Sequence, residues 1–259
     1  SPDQFGRIDL NELEFILQQS EAPSLVSLIH THNELGSITP IKSISEICKK
    51  YNAYYHSDTV QSIGSVPLNV TELDIDFATG SGHKFHGPKG IGFVYIKEPT
   101  LIKPFIYGGS QERNMRSGTE NIIGIAAMAK ALQINTESFE QKLNQLNILN
   151  NYLKSGLHTN GLSESYNTPD TEFNPKILSV NFSEQKGIEW LLMNLDINGI
   201  SASGGSACSS GTEKSSHVLN YIRPNAKGRT VRFSFSHLNT LEELDRTIEI
   251  LLKILKPNI

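Results

Sequence analysis

Apolar positions in the first half of the chain fall into short runs that alternate with stretches of helical spacing. Residues 25–29 (Leu-Val-Ser-Leu-Ile) form one such run, and it ends in the polar group His30, Thr31, His32 and Asn33. This pattern predicts a buried parallel strand with functional groups at its carboxyl end. Ile41, Ile44, Ile47 and Cys48 then share one face of a helix running to about Tyr51. Further strands are predicted at 53–56, 77–79 and 92–96. Strands alternating with amphipathic helices and short loops predict an α/β fold built on a layered, mainly parallel sheet. Ligand chemistry in such a sheet collects where the strands end, and Asn33, Asp58, Gln61 and Lys84 all sit there.

From Ile122 the rhythm becomes helical, with Ile125, Met128, Ala129 and Leu132, and later Leu143, Leu146 and Leu149, at helical spacing. This long stretch reads as a bridge between domains. Beyond it, 177–182 and 230–235 read as strands, and 188–195, 216–222 and 241–255 as helices. Thr240, with Glu243 three residues later, has the form of a capping box. The division expected is a large domain over 1–137 and a smaller α+β domain over 138–259.

Two segments carry candidate chemistry. Residues 80–90 (Gly-Ser-Gly-His-Lys-Phe-His-Gly-Pro-Lys-Gly) place Lys84 in a small polar loop directly after an apolar strand. A pyridoxal phosphate Schiff-base lysine is presented in this way, with Gly80, Ser81, Gly82 and His83 as donors for a phosphate. The bland alternative is a solvated loop lysine, and Lys89 is the competing candidate. Residues 201–211 (Ser-Ala-Ser-Gly-Gly-Ser-Ala-Cys-Ser-Ser-Gly) set Cys208 among serines and glycines, where a thiolate can act as a nucleophile. Cys48, the only other cysteine, shares an apolar helical face and reads as an inert core thiol. Asp58 could be a surface aspartate, and Arg232 could pair with a surface acid, with Arg229 the weaker alternative.

Six motifs occur in one order: Asn33-Glu34-Leu35-Gly36, 56–61 (His-Ser-Asp-Thr-Val-Gln), the Lys84 loop, 111–119 (Gln-Glu-Arg-Asn-Met-Arg-Ser-Gly-Thr), the Cys208 loop, and Val231-Arg232-Phe233-Ser234. On these the chain resembles the NifS/IscS-like cysteine desulfurases of the class V aminotransferase superfamily, from about Leu25 to the C-terminus. The resemblance implies the fold-type I transferase fold: part of a large, mainly parallel sheet with helices, followed by a smaller α+β domain carrying the cysteine loop. It implies pyridoxal 5'-phosphate as cofactor, with Lys84 as the Schiff-base residue and Asp58 as the acidic partner of the pyridinium nitrogen. Gln61 would bond the ring hydroxyl, Asn33 would approach the ring oxygen and the substrate carboxylate, and Ser81 and His83 would contact the phosphate. Thr119 would reach the phosphate of a partner subunit, which implies a homodimer with shared sites. Arg232 would bind the substrate α-carboxylate, and Cys208 would carry the persulfide. His32 and His56 are read as structural groups or as supports behind the site, and His217 is assigned no role. Departures from the pattern are Ser57 and Thr59-Val60 around the aspartate and Gly204-Gly205 ahead of Ser206-Ala207-Cys208, and none removes a functional group.

The implied reaction converts L-cysteine to L-alanine, with sulfur passing through Cys208 to a sulfur acceptor or iron–sulfur scaffold protein. Alternatives are a selenocysteine lyase, another class V enzyme, or a catalytically inactive fragment. The last arises because the chain starts at Ser1 without an initiator Met, ahead of which the family carries further strands and a ring-stacking histidine. The chain by itself is therefore expected to bind cofactor weakly and to turn over little.

Composition narrows the partners. Among 259 residues, 37% are hydrophobic and 19% charged, as in an ordinary globular protein. A net charge of -4 without a Lys/Arg cluster argues against nucleic acid and anionic membrane. No apolar run approaches the roughly 20 residues of a membrane span. Two cysteines without a disulfide framework fit a reducing compartment, so the cytoplasm is expected.

Overall fold

The computed structural model describes residues 2–163, 165–204, 216–224 and 227–256. Cys208 lies outside them. In chain order the regular elements are α1 (Leu10–Gln18), β1 (Leu25–Ile29), α2 (Ile41–Lys50), β2 (Tyr54–Asp58), β3 (Phe77–Ser81), β4 (Gly92–Ile96), α3 (Ile122–Glu137), α4 (Phe139–Thr159), β5 (Ser165–Tyr166), β6 (Ile177–Phe182), α5 (Leu191–Ile197), α6 (His217–Ile222), β7 (Arg229–Ser234) and α7 (Leu241–Leu255). The chain divides into two compact units. One comprises Glu14–His30 and Pro40–Phe139, the other Ser1–Leu13, Thr31–Thr39 and Glu140–Ile259. Residues 31–39 group with the C-terminal half because their backbone bonds go there: Ile38 N–H donates to Glu172 O at 2.9 Å, and Asn174 N–H to Gly36 O at 2.8 Å.

The first unit is built on a four-stranded sheet in the order β1-β2-β3-β4. The first three strands are parallel and β4 is antiparallel to β3. β2 runs to Asp58 and β3 to Ser81, each two residues past the predicted end. Asp58 is therefore the last residue of its strand, not a loop residue beyond it. Side chains alternate between the two faces. Tyr55, Ser57, Ala78 and Gly80 are buried on one of them. The other carries Ser27, His56, Asp58, Thr79 and Ser81, all exposed or half-buried. β1 is less buried than its composition predicts, with Leu25 at 60% exposure. Helix α2 buries Ile41, Ile44 and Cys48 as its spacing requires.

The predicted helical bridge is two helices, α3 and α4, separated at Ser138. The apolar stripe of α3 is only partly covered: Ile122, Ile125 and Ala129 are exposed and Met128 and Leu132 half-buried, while Asn135 is buried.

The second unit holds an antiparallel sheet in the order β5-β6-β7. Its core joins Leu178, Val180 and Phe182 of β6 to Val231 and Phe233 of β7, with Leu149, Leu153 and Leu157 of α4 and Leu244 and Leu251 of α7. The α7 capping box forms, Thr240 Oγ1 accepting from Glu243 N–H and Glu243 Oε2 from Thr240 N–H. Helix α6 begins at His217 and is capped by Ser216.

Candidate functional site

In the first unit, parallel register sets Ile29, Asp58 and Thr79 in one row across β1, β2 and β3. Asp58 is fixed by Val60 N–H, which donates to its Oδ1 at 2.9 Å. The turn that follows carries Gln61 and is tied to β3 by Thr59, whose Oγ1 and N–H both donate to Thr79 O, at 2.7 and 3.0 Å. On the same face His56 is held at both ring nitrogens, Nδ1 by Ser27 Oγ at 2.8 Å and Nε2 by Thr79 Oγ1 at 3.4 Å. The structural role read for His56 from the sequence is this bridge across three strands.

β3 leaves the sheet through a single 3-10 turn, Gly82–Phe85, which carries His83 and Lys84. Ser81 Oγ and His83 Nδ1 are 2.8 Å apart. His86 closes the turn in the left-handed region at φ 67, a conformation that costs a non-glycine residue on the order of 1–3 kcal/mol. Lys84 is half-buried and Lys89 exposed.

The glycines of this loop act differently from the phosphate cradle expected of them. Gly80 lies within β3, where a Cβ would fall 2.5 Å from the Phe93 ring. Gly82 N–H donates to Ile91 O at 3.0 Å, and Gly82 O accepts from Gly87 N–H at 2.8 Å. They permit close packing and a tight turn, so the polar groups displayed beside Lys84 are the side chains of Ser81 and His83.

Asn135 is a residue that sequence reasoning missed. It is 4% exposed, and its Nδ2 donates to Phe85 O at 2.8 Å and Ala131 O at 2.9 Å. Phe85, 2% exposed, is thereby pinned to α3 immediately after Lys84.

Thr119 is exposed at the end of a loop closed by its own bonds: Gly118 N–H to Gln111 Oε1 at 3.1 Å, Ser117 Oγ to Tyr107 O at 2.9 Å. Within that loop Glu112, Arg113 and Asn114 all have positive φ. Cys48 is 2% exposed, and burial pushes its thiol up to about 11, with the Asp76 charge adding to the effect.

The second unit brings Asn33 and Arg232 together. Residues 32–36 form a turn closed by Gly36 N–H to His32 O and His32 N–H to Ser37 O, each 2.9 Å. Gly36, at φ +78, supplies the left-handed residue the turn requires. Arg232, in the middle of β7, donates from Nη1 to Asn33 O at 2.8 Å. Its backbone pairs with Ser203 in both directions, at 2.7 and 3.2 Å. Burial lowers the guanidinium pKa, and the Glu34 carboxylate opposes that shift. His32 Nδ1 accepts from the N–H groups of Glu34 and Leu35 at 3.2 and 3.4 Å. Burial also holds the His32 ring below its ordinary pKa, opposed by Glu34 and reinforced by His217. Among the described residues, no group of three or more His, Cys, Asp or Glu side chains could hold a metal ion.

Comparison with known proteins fits this arrangement. The chain is 38% identical over 258 residues to the cysteine desulfurase IscS of Dictyoglomus turgidum, and 39% identical over 259 residues to that of Clostridium botulinum strain Hall. Each alignment covers 98% of this chain and 64% of the relative, so the chain spans just under two thirds of their length. The crystal structure of a NifS-like protein from Rickettsia africae superposes with a TM-score of 0.86 at 30% identity, over 98% of this chain and 68% of the other. The model of the family described as aminotransferase class-V matches residues 1–247. The chain belongs to the class-V aminotransferase family.

Proposed function

We propose that this chain is a pyridoxal 5'-phosphate-dependent cysteine desulfurase that takes sulfur from L-cysteine, leaves L-alanine, and passes the sulfur to a protein acceptor. The observation that carries this reading is the placement of Lys84 on a tight turn at the carboxyl end of β3, beside the Ser81–His83 pair, with Asp58 ending the neighbouring strand.

These residues fit the cofactor. The face that carries Asp58, Thr79 and Ser81 is at least partly open and polar at the carboxyl ends of β2 and β3, while the opposite face is largely buried. Lys84 would hold the aldehyde carbon, Asp58 the ring N–H, Gln61 the ring hydroxyl, and Ser81 and His83 the phosphate. When bound, the protonated ring withdraws electrons from the substrate Cα and acidifies its proton. Lys84 would serve as the base that takes and returns that proton. Arg232 receives the substrate α-carboxylate, a geometry for which the guanidinium fork is suited, and Asn33 lies beside it. The Cys208 thiolate attacks the substrate sulfur: the S–S bond forms, the Cβ–S bond breaks, and its electron pair stays with carbon, which takes up a proton. Alanine leaves and Cys208 retains a persulfide.

Thr119 is assigned to the phosphate of a second copy in a homodimer. Phe105 at 95% exposure, Tyr107 at 79% and Ile123 at 85% flank it in sequence and support such an interface. The division of labour is a cofactor-binding region over 1–137 and a smaller region over 138–259 that carries the cysteine. No helix among the described residues is long and apolar enough to cross a membrane, and the cytoplasm is the proposed compartment. The acceptor is a thiol-bearing protein of iron–sulfur cluster assembly or thiolation.

The test is stoichiometry in the native protein. With L-cysteine and a reductant, alanine and sulfide should appear in equal amounts, and Cys208→Ala should abolish both. Alanine released at an undiminished rate by Cys208→Ala would remove Cys208 from the reaction and favour another class V activity.

A further inference from the structure

Glu34 is 3% exposed, and its Oε2 meets no hydrogen-bond donor among the described residues. Burying a carboxylate oxygen without a donor is costly. The turn around it does not need the charge, because the backbone and His32 Nδ1 already close it. The Glu34 carboxylate opposes the shifts that burial imposes on His32 and on Arg232. Arg232 also bonds the carbonyl of Asn33, which belongs to the peptide leading into Glu34. Arg232 is also paired through its backbone with Ser203, whose buried Oγ likewise has no partner among the described residues. A half-buried guanidinium thus lies between a strand that fixes its backbone and a turn that holds a buried negative charge.

We propose that Glu34 is a positioning residue for Arg232: its buried carboxylate draws the guanidinium against the 32–36 turn, in place to receive the α-carboxylate of an amino acid. The inference rests on the proposed function and deepens it, since it makes carboxylate recognition depend on a residue that never touches substrate. Glu34 Oε2 makes no hydrogen bond to Arg232, so this oxygen supports the cation without competing with the ligand for it. A carboxylate bonded in the fork itself would be a competitor.

Glu34→Gln keeps the shape and removes the charge. In the native holoenzyme it should raise KM for L-cysteine about tenfold, with the loss falling in KM rather than kcat. It should weaken calorimetric binding of L-alanine by a similar factor. Handling of cysteamine, which has the thiol and amine but lacks the carboxylate, should stay the same. The melting temperature should hold or rise, because a buried charge has gone. In an Arg232→Gln background the same change should add nothing, since the two residues act as a unit. Equal losses for cysteine and cysteamine, or full additivity with Arg232→Gln, would show a merely structural role and overturn the proposal. Unchanged alanine affinity in Glu34→Gln would do the same. If the unsubstituted protein neither binds alanine nor consumes cysteine, the proposed function itself falls, an outcome separate from the others.

Discussion

Strand β6 buries all six of its residues, whereas every strand of the β1–β4 sheet keeps at least two residues exposed or half-buried. The two sheets are under different demands. In β6, Leu178, Val180 and Phe182 join the apolar core of the second unit, and Ser179 and Asn181 on the other face are satisfied by Asn167 and Thr168. Its side chains have structural work on both faces. In β1–β3 only one face is largely buried, and the other, where Leu25, Ile29, Tyr54 and Phe77 share the surface with Ser27, His56, Asp58, Thr79 and Ser81, presents a carboxylate and hydroxyls at the carboxyl ends of parallel strands. Substitutions should therefore separate the two sheets, stability being lost in one and chemistry in the other.

The largest effect is expected at Lys84. Lys84→Ala should reduce desulfuration by on the order of a thousandfold or more and abolish the lysine-linked visible absorbance, while the melting temperature barely moves. A large drop in melting temperature would mean that the turn is structural and would blur the contrast. Next comes Leu178→Ala, at a side chain 1% exposed. It should cost about 2–5 kcal/mol in denaturant unfolding and leave the cofactor absorbance of the folded fraction intact.

Asn135→Leu tests the boundary between the two behaviours. It removes the donor from Phe85 O and should cost about 1–3 kcal/mol. Because Phe85 follows Lys84 directly, turnover should fall several-fold as well. A loss of stability without any loss of turnover would detach α3 from the positioning of the lysine.

The smallest effect is a pH dependence. Burial holds His30 down at about 4 from its ordinary 6.5. Below pH 6.5 the unfolded chain takes up a proton that the folded chain refuses until about pH 4, so this contribution is complete above 6.5 and lost as pH falls between the two values. At pH 5 the loss should be about 1–2 kcal/mol, with His32 acting in the same direction. His30→Gln should flatten that limb of the stability profile, and an unchanged slope would show that His30 is not its source.

Much of the fold was legible because hydropathy and hydrogen bonding agreed. The runs at 92–96 and 177–182 are strands to the residue, and 241–255 is a helix bracketed by its own capping box. Legibility failed where they diverge. Ser57 and Asp58, and Gly80 and Ser81, are too polar or too small to read as strand, yet the ladder continues through them. The lysine turn was visible from its glycines, but their reason was not, since the space a Cβ would occupy at Gly80 is filled by a ring thirteen residues away in sequence. Asn135 and Glu34 could not be recognised because nothing local to either residue says that it is buried.

The alternation along β2 has a consequence for how such a site can vary. Tyr55 and Ser57 point into the interior, and His56 and Asp58 to the chemical face. Inserting or deleting one residue within this strand would exchange the two sets, driving an imidazole and a carboxylate into the core and a tyrosine out of it. The polar face can change residue by residue, but the length of the strand cannot change at all. The spacing between His56, Asp58 and the strands beside them is thereby locked by the same packing that makes the sheet fold.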